Sequence, residues 1–405
     1  MGGKFRNWSG FISVYIILCL LLLSACSPDQ EEADSERPQT IEWQSDLAIG
    51  LPDQSIDHQL ARPLAVRTDS EGNIYIADQG SLEIKVFDRD GAYLRSIGGR
   101  GRGPGEFLSM ELVELTPEEH FVVMDRGNLK YITITKEGEF VESHPYNMSD
   151  QFYPQAIRYL VNENLLALFF NTSSREETPI EDRDLFHIAS RDFQERKESF
   201  FPIKQVDTKN RLLHGFMQWH PGSFLLLDGE EKLVFTPSTY LGKFFVYQNR
   251  NGQWEFDGAF RGIEPNIEPF EVFDSFTRYQ RALENRIARA TRISHGGEAF
   301  MGRQLSMDGG LFQLDGDRLI HFYLEWREGY ERAEESDRHP LDLYTQVFDL
   351  QGNVLLHDFL FTITDKERSI KKPLVNWMDR EGDFYLIEYP EDIPVVRRFS
   401  LELPE

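Results

Sequence analysis

From Arg62 onward the chain alternates short apolar runs with polar, glycine-bearing turns, the pattern of antiparallel strands. Arg62 to Phe107 holds four such runs, Leu64–Arg67, Asn73–Ala77, Ile84–Asp88 and Tyr93–Ile97. They are joined at Glu71-Gly72 and Asp90-Gly91, dipeptides that tolerate a positive φ. Four antiparallel strands in about 45 residues make one propeller blade. The beat returns in Glu111–Leu115, Phe121–Asp125, Tyr131–Thr135 and Phe140–His144, with Glu137-Gly138 at the last turn. Fainter copies follow. One runs Ala156–Leu160, Leu165–Phe170, Leu185–Ala189, Lys197–Phe201, and another Phe224–Leu227, Leu233–Phe235, Phe244–Gln248, Trp254–Ala259. A fifth has Leu311–Leu314, Leu319–Leu324, Tyr344–Asp349 and Val354–Phe359, and a sixth only Leu374–Met378, Phe384–Glu388 and Val395–Phe399.

The fold predicted is therefore all-β, a six-bladed propeller over residues 41–405 whose last blade lacks an outer strand. Ile41–Ile49 precedes the first blade without a partner there. Pairing it with the sixth blade would close the ring and leave no open sheet edge. One stretch breaks the two-residue rhythm: Phe273, Phe276, Leu283, Ile287 and Ala290 fall at helical steps, predicting an inserted amphipathic helix over about 268–294, between blades four and five.

The first blade resembles an NHL repeat in Pro63, Gly72-Asn73-Ile74-Tyr75-Ile76-Ala77-Asp78, Ile84-Lys85-Val86-Phe87-Asp88 and the closing loop Gly101-Arg102-Gly103-Pro104-Gly105-Glu106-Phe107. Beyond Phe107 the likeness is to six-bladed propellers in general. The whole resembles the propeller lipoproteins of bacterial envelopes, a group most of whose members have no assigned chemistry.

The N-terminus reads as an address. Lys4 and Arg6 precede the apolar run Phe11–Leu23, whose 13 residues are short of the roughly 20 that a spanning helix needs. Leu23-Ser24-Ala25-Cys26 resembles a lipobox, which implies a signal peptide of residues 1–25 and a lipid-anchored Cys26. Residues 26–40 are acidic, polar and proline-containing, a disordered tether. Ser27 after the cysteine matches the pattern sorted to the outer membrane, so the expected location is the cell envelope, lipid-anchored, periplasmic or surface-exposed.

Charge narrows the partners. With 43 Lys and Arg against 68 Asp and Glu the net charge is −25, which argues against nucleic acid. Two cysteines, Cys19 and Cys26, exclude a disulfide framework.

In a propeller the first strands line the channel, and the loops between blades open on the same face as the loops between second and third strands. Candidate ligand-binding residues on that geometry are Arg62, Arg100, Arg102, Glu111, Trp326 and Lys372, with Gln155 also near an inner strand. The arginines and Lys372 would make a positive mouth suited to a carboxylate, as in a uronic acid or a peptide C-terminus. Trp326, with Tyr330, Arg332 and His339, belongs to a long loop in blade five; it and Tyr146, Phe152, Tyr153 and Trp219 are possible sugar platforms or blade-interface seals. No nucleophile elbow, P-loop or zinc motif is present in the sequence.

The leading expectation is a non-enzymatic binder of a peptide, glycan or envelope protein, with the membrane reached through its lipid and no cofactor. The alternative is a metal-dependent hydrolase or lyase of lactonase or amidating-lyase type, with zinc or calcium held by His214, His220 and Asp308. A structural subunit of an envelope complex is a third class.

Overall fold

The computed structural model describes residues 41–145, 154–160, 164–169, 179–207, 211–219, 221–227, 229, 231–284, 290–295, 298–327, 340–363 and 373–404. The expected signal peptide, Cys26 and the expected tether lie outside the described residues.

Six four-stranded sheets carry the chain from Ile41 onward. Blade one is Pro63–Thr68, Ile74–Asp78, Glu83–Phe87 and Tyr93–Gly98; blade two is Met110–Leu115, Phe121–Asp125, Lys130–Ile134 and Phe140–Pro145. Blade three is Pro154–Tyr159, Asn164–Phe169, Asp184–Ser190 and Arg196–Pro202; blade four is Gly222–Leu227, Lys232–Pro237, Lys243–Arg250 and Gln253–Arg261. Blade five is Ser306–Gln313, Arg318–Trp326, Leu341–Asp349 and Val354–Ile363. Blade six takes Val375–Met378, Phe384–Glu388 and Val395–Glu402 from the C-terminal end, and its outermost strand is Glu42–Ile49. That strand pairs antiparallel with Val395–Glu402, Trp43 opposite Leu401 and Ser45 opposite Phe399. The predicted closure by the two ends of the chain is the one observed.

The continuous apolar runs follow from where the middle strands sit. In Ile74–Asp78, Tyr75 and Ala77 pack toward blade two while Ile74 and Ile76 pack toward blade six, so both faces are buried. Each remaining junction has its own apolar cluster: blades two and three, three and four, four and five, five and six. Six filled junctions make a closed ring with a first strand from every blade at the axis. The recurring turn between strands is also explained. Asp69 accepts the amides of Glu71 and Asn73 at 3.0 and 2.9 Å, and Gly72 takes φ +85°, a conformation that a side chain would strain.

Two departures from the expected pattern lie between blades. Helix α1 (Arg211–Trp219) precedes blade four, where an inner-strand approach was expected. Its Leu213 and Met217 enter the core of blades three and four, and Leu212 and Phe216 meet Phe270. The insertion before blade five does carry a helix, but α2 (Phe276–Glu284) is shorter than predicted. Strands Phe270–Val272, Ala290–His295 and Glu298–Gln304 flank it and form a small three-stranded sheet. Among the described residues, no helix is long and apolar enough to cross a membrane.

Candidate functional site

The first strands of blades one, two and three start in the same register: Pro63, Met110 and Pro154 pair with Asp78, Asp125 and Phe169, and a bulge follows each. Counting five residues from each start gives Arg67, Glu114 and Arg158. Equivalent positions in neighbouring blades occupy one layer of the channel, so these three side chains meet. Glu114 receives Arg67 as a fork, Nε at 3.0 Å and Nη2 at 2.8 Å, both partners buried. Arg67 also donates through Nη1 to the Val66 carbonyl at 2.6 Å and to Asn376 Oδ1 at 3.3 Å, and it lies 4.9 Å from the Trp377 ring centre. Asn376, from blade six, accepts the Val66 amide at 2.8 Å and so ties the two ends of the ring together at the axis.

Arg158 is held differently. Its Nη1 donates to the Ile157 carbonyl at 2.7 Å and stands 3.7 Å from Glu114, and its guanidinium lies 5.3 Å from the Phe224 ring centre. Protein surrounds this side chain, yet 40% of its surface is reachable by water, as expected for a group on a channel wall. Enclosure pulls its pKa below the ordinary arginine value; Glu114 opposes that and Arg67 adds to it. It remains a cation, since an arginine pKa lies far above neutral.

The opposite wall is built by blades four and five. Ser223 Oγ donates to Asp308 Oδ2 at 2.6 Å, and the Gly310 amide donates to Oδ1 at 3.1 Å. His321, fully buried, places Nε2 3.2 Å from Oδ1. Gln346 Nε2 lies 3.0 Å from His321 Nδ1 and 2.6 Å from the Tyr240 hydroxyl, which in turn donates to the Ile263 carbonyl at 2.6 Å. An amide nitrogen can only donate, so Nδ1 accepts and Nε2 carries the proton toward Asp308. Burial lowers the His321 pKa, while Asp308 raises it in part. Ser223 and His321 both touch the Asp308 carboxylate, so among the described residues no imidazole is placed to take the serine proton, as nucleophilic catalysis by a serine–histidine pair requires.

Between the walls is a cavity of about 110 Å³, lined from all six blades by Arg67, Glu114, Arg158, Ser223, Asp308, Phe312 and Asn376 among others. It is charged on two sides and lined in part by Phe224 and Phe312.

The residues expected from sequence are scattered relative to this cavity. Asp308 and Gln155 line it. Arg62 is exposed in the connection into blade one, its amide donating to Asp78 at 2.7 Å. Arg100 and Arg102 are exposed, but Arg102 sits beside Asn128, Lys130 and Phe140. Their loop lies against the outer strands of blade two, where Asn128 Nδ2 donates to the Gly101 carbonyl at 3.1 Å, so the expected arginine mouth is not formed by them. Glu111 is half-buried and accepts from Ser109 Oγ at 3.1 Å. Trp326 is not a surface platform: it ends the second strand of blade five, 1% exposed, within the core between blades five and six. Apolar neighbours and the Arg303 guanidinium, 5.4 Å from its ring centre, cover it. His214 is buried on α1 with Nε2 2.5 Å from the Asp207 carbonyl, because a helix occupies the approach to the inner strand of blade four near which it was expected. Lys372, His220, Tyr330, Arg332, His339, Tyr146, Phe152 and Tyr153 lie outside the described residues. Trp219 ends α1, but its side chain is not among those described. Among the described residues no three His, Cys, Asp or Glu side chains are grouped to hold a metal ion.

Sequence reasoning missed Arg67, Glu114, Arg158, Ser223 and Asn376. The signal for three of them was present, at the shared fifth position of the first three inner strands.

Comparison with known proteins fits the ring. Residues 62–220 match the family described as DUF5128, 6-bladed beta-propeller. No curated protein matches the chain by sequence. Among solved structures, a member of the DUF4221 family from Bacteroides vulgatus is similar at TM-score 0.56 and 11% identity, covering 91% of this chain and 100% of that one. A protein described as exported, from Bacteroides fragilis, is similar at TM-score 0.50 and 10% identity, covering 90% and 96%. A virginiamycin B lyase from Staphylococcus aureus reaches TM-score 0.40 at 11% identity, covering 89% and 100%. At such identities the likeness is one of fold.

Proposed function

We propose that this chain is a lipid-anchored binding propeller of the bacterial envelope, with an NHL-like first blade, attached through Cys26 to the outer membrane. It captures a peptide, a glycan or an exposed segment of a partner protein at the channel and the surrounding loops, and makes or breaks no bond. The observation that carries this reading is the cavity itself: the blades bring unlike charges, hydroxyls, amides and aromatic rings around one hollow. Concave sites with a few convergent polar groups are where proteins hold small ligands.

The metal-dependent reading calls for His214, His220 and Asp308 to meet in the channel. His214 is buried on α1 with Nε2 on the Asp207 carbonyl, His220 lies outside the described residues, and among the described residues no three His, Cys, Asp or Glu side chains are grouped to hold a metal ion.

The test is a glycan and peptide array probed with the full chain, followed by elemental analysis and assays for turnover of lactones and peptidyl substrates. Retained ligand without turnover supports the binding role. Stoichiometric zinc or calcium together with turnover would replace it with the hydrolase or lyase. Mass spectrometry of the N-terminal peptide checks the anchor, which requires diacylglycerol on Cys26.

A further inference from the structure

The two walls of the cavity are not equally satisfied. Asp308 already accepts from Ser223, Gly310 and His321. Glu114 gives both oxygens to the Arg67 fork. One carboxylate therefore serves two guanidinium groups, and the cluster keeps one positive charge inside a protein of net charge −25. Arginine has five N–H donors. Among the described residues Arg158 uses Nη1 on a carbonyl, and its 3.7 Å approach to Glu114 is too long for a hydrogen bond. Nε and Nη2 are left, on a side chain that is 40% open in the cavity, with its plane steadied by the Phe224 ring.

We propose that Arg158 is a carboxylate-binding residue and that the ligand of this channel is an organic monoanion, its carboxylate held by Arg158 beside the Arg67–Glu114 pair. This rests on the channel-binding reading above and gives the ligand its charge. A planar fork with two adjacent donors matches a carboxylate in two bonds, which an ammonium cannot do. A single negative charge balances the Arg67–Glu114–Arg158 cluster, while Asp308 holds its own charge against three donors on the far wall; a phosphate dianion would add a second negative charge to the same cavity. Ser223, Gln155 and Asn376 line the same cavity and offer hydroxyl and amide groups to the rest of the ligand. Glu114 is a positioning residue: by occupying the Arg67 fork it leaves Arg158 as the open one.

The carboxylate has two plausible sources, a uronic acid or the C-terminal end of a peptide, and matched probes separate them. Calorimetric titration of the full chain in detergent with glucuronate against glucose, and with N-acetylalanine against its amide, reads the acid preference of each. We expect at least one acid to bind about tenfold or more tightly than its neutral partner. Arg158→Gln should erase that preference, and Arg100→Gln with Arg102→Gln should leave it intact. Glu114→Gln, by freeing the Arg67 fork, should raise affinity for the acid several-fold. A gain in one variant and a loss in the other would not come from general destabilisation. Equal binding of acid and neutral probes, a preference that survives Arg158→Gln, or binding of none of the four probes overturns the inference. A neutral ligand recovered from the array whose binding ignores Arg158 would overturn it while leaving the broader binding role standing.

Discussion

Blades two and five share a four-stranded plan and differ in where they keep a carboxylate. In blade two the second strand ends in Asp125, fully buried, which accepts the amides of Leu108, Ser109 and Gly127 at 2.9, 2.9 and 3.0 Å. One side chain thus ties the incoming connection to the turn that leaves the strand. Asp78 performs the same service in blade one for Ala61, Arg62 and Gly80. In blade five the equivalent position is Tyr323, and the residue opposite it on the first strand is Asp308. The acid has changed strands, from a clamp at the rim to a polar group on the channel wall. Freed from the clamp, the connection after that strand is long, and an inserted sheet and α2 precede the blade. The comparison teaches that blades one and two spend this carboxylate on holding their own connections, whereas blade five spends it on the channel wall.

Breaking the clamp is the severest test of this contrast. Asp125→Ala leaves a cavity in the buried strand end and three part-buried amides without their acceptor, and we expect a loss of about 3 kcal/mol in denaturant-induced unfolding. The same truncation of Asp78 should cost a similar amount. A loss of less than about 1 kcal/mol would mean that the clamp is ornamental.

Acid sharpens the contrast from the irregular side. His187 in blade three is buried, with Nδ1 2.7 Å from Ser199 Oγ; burial, followed by the nearby Arg196, pulls its pKa from 6.5 to about 3. Above pH 6.5 both folded and unfolded His187 are neutral and add no pH dependence. Below it the unfolded chain takes up a proton that the folded chain refuses until about pH 3, so stability falls as pH falls through that window. The slope is about 1.4 kcal/mol per pH unit at most. Burial lowers the His321 pKa as well, giving the same sign. His187→Gln should flatten the measured profile between pH 6 and 4; an unchanged slope would assign it to other groups.

Smallest is Tyr323→Phe, which removes the hydroxyl 2.8 Å from His357 Nε2 and leaves the ring stack with Tyr344 in place. A cost of about 1 kcal/mol is expected, well below that of the Asp125 truncation. Equal costs would erase the distinction between clamp and replacement.

How much of this was legible in the sequence follows from the same division. Period-two runs and Gly-bearing turns identify all six sheets and the closing strand, because each middle strand must be apolar on both faces. Helix α1 went unseen although Leu212, Leu213, Phe216 and Met217 fall at helical spacing, since nine residues among strands are easily read as a blade approach. Asp308 was found from its place near an inner strand. Arg67 and Arg158 were not, because a charged residue inside an apolar strand shows its meaning only when strands from separate blades are set in register. Arg100 and Arg102 drew attention through the glycines around them, yet a flexible loop does not reveal whether it folds inward or outward.

The claim on which the account turns is that ligand is read in the channel rather than on the glycine-rich loop. Its most direct measurement is the affinity for the acid probe that binds in the native chain, compared in Arg158→Gln and in the Arg100→Gln, Arg102→Gln pair. The account predicts a loss of about tenfold or more in the first and less than about twofold in the second. The reverse order would contradict it.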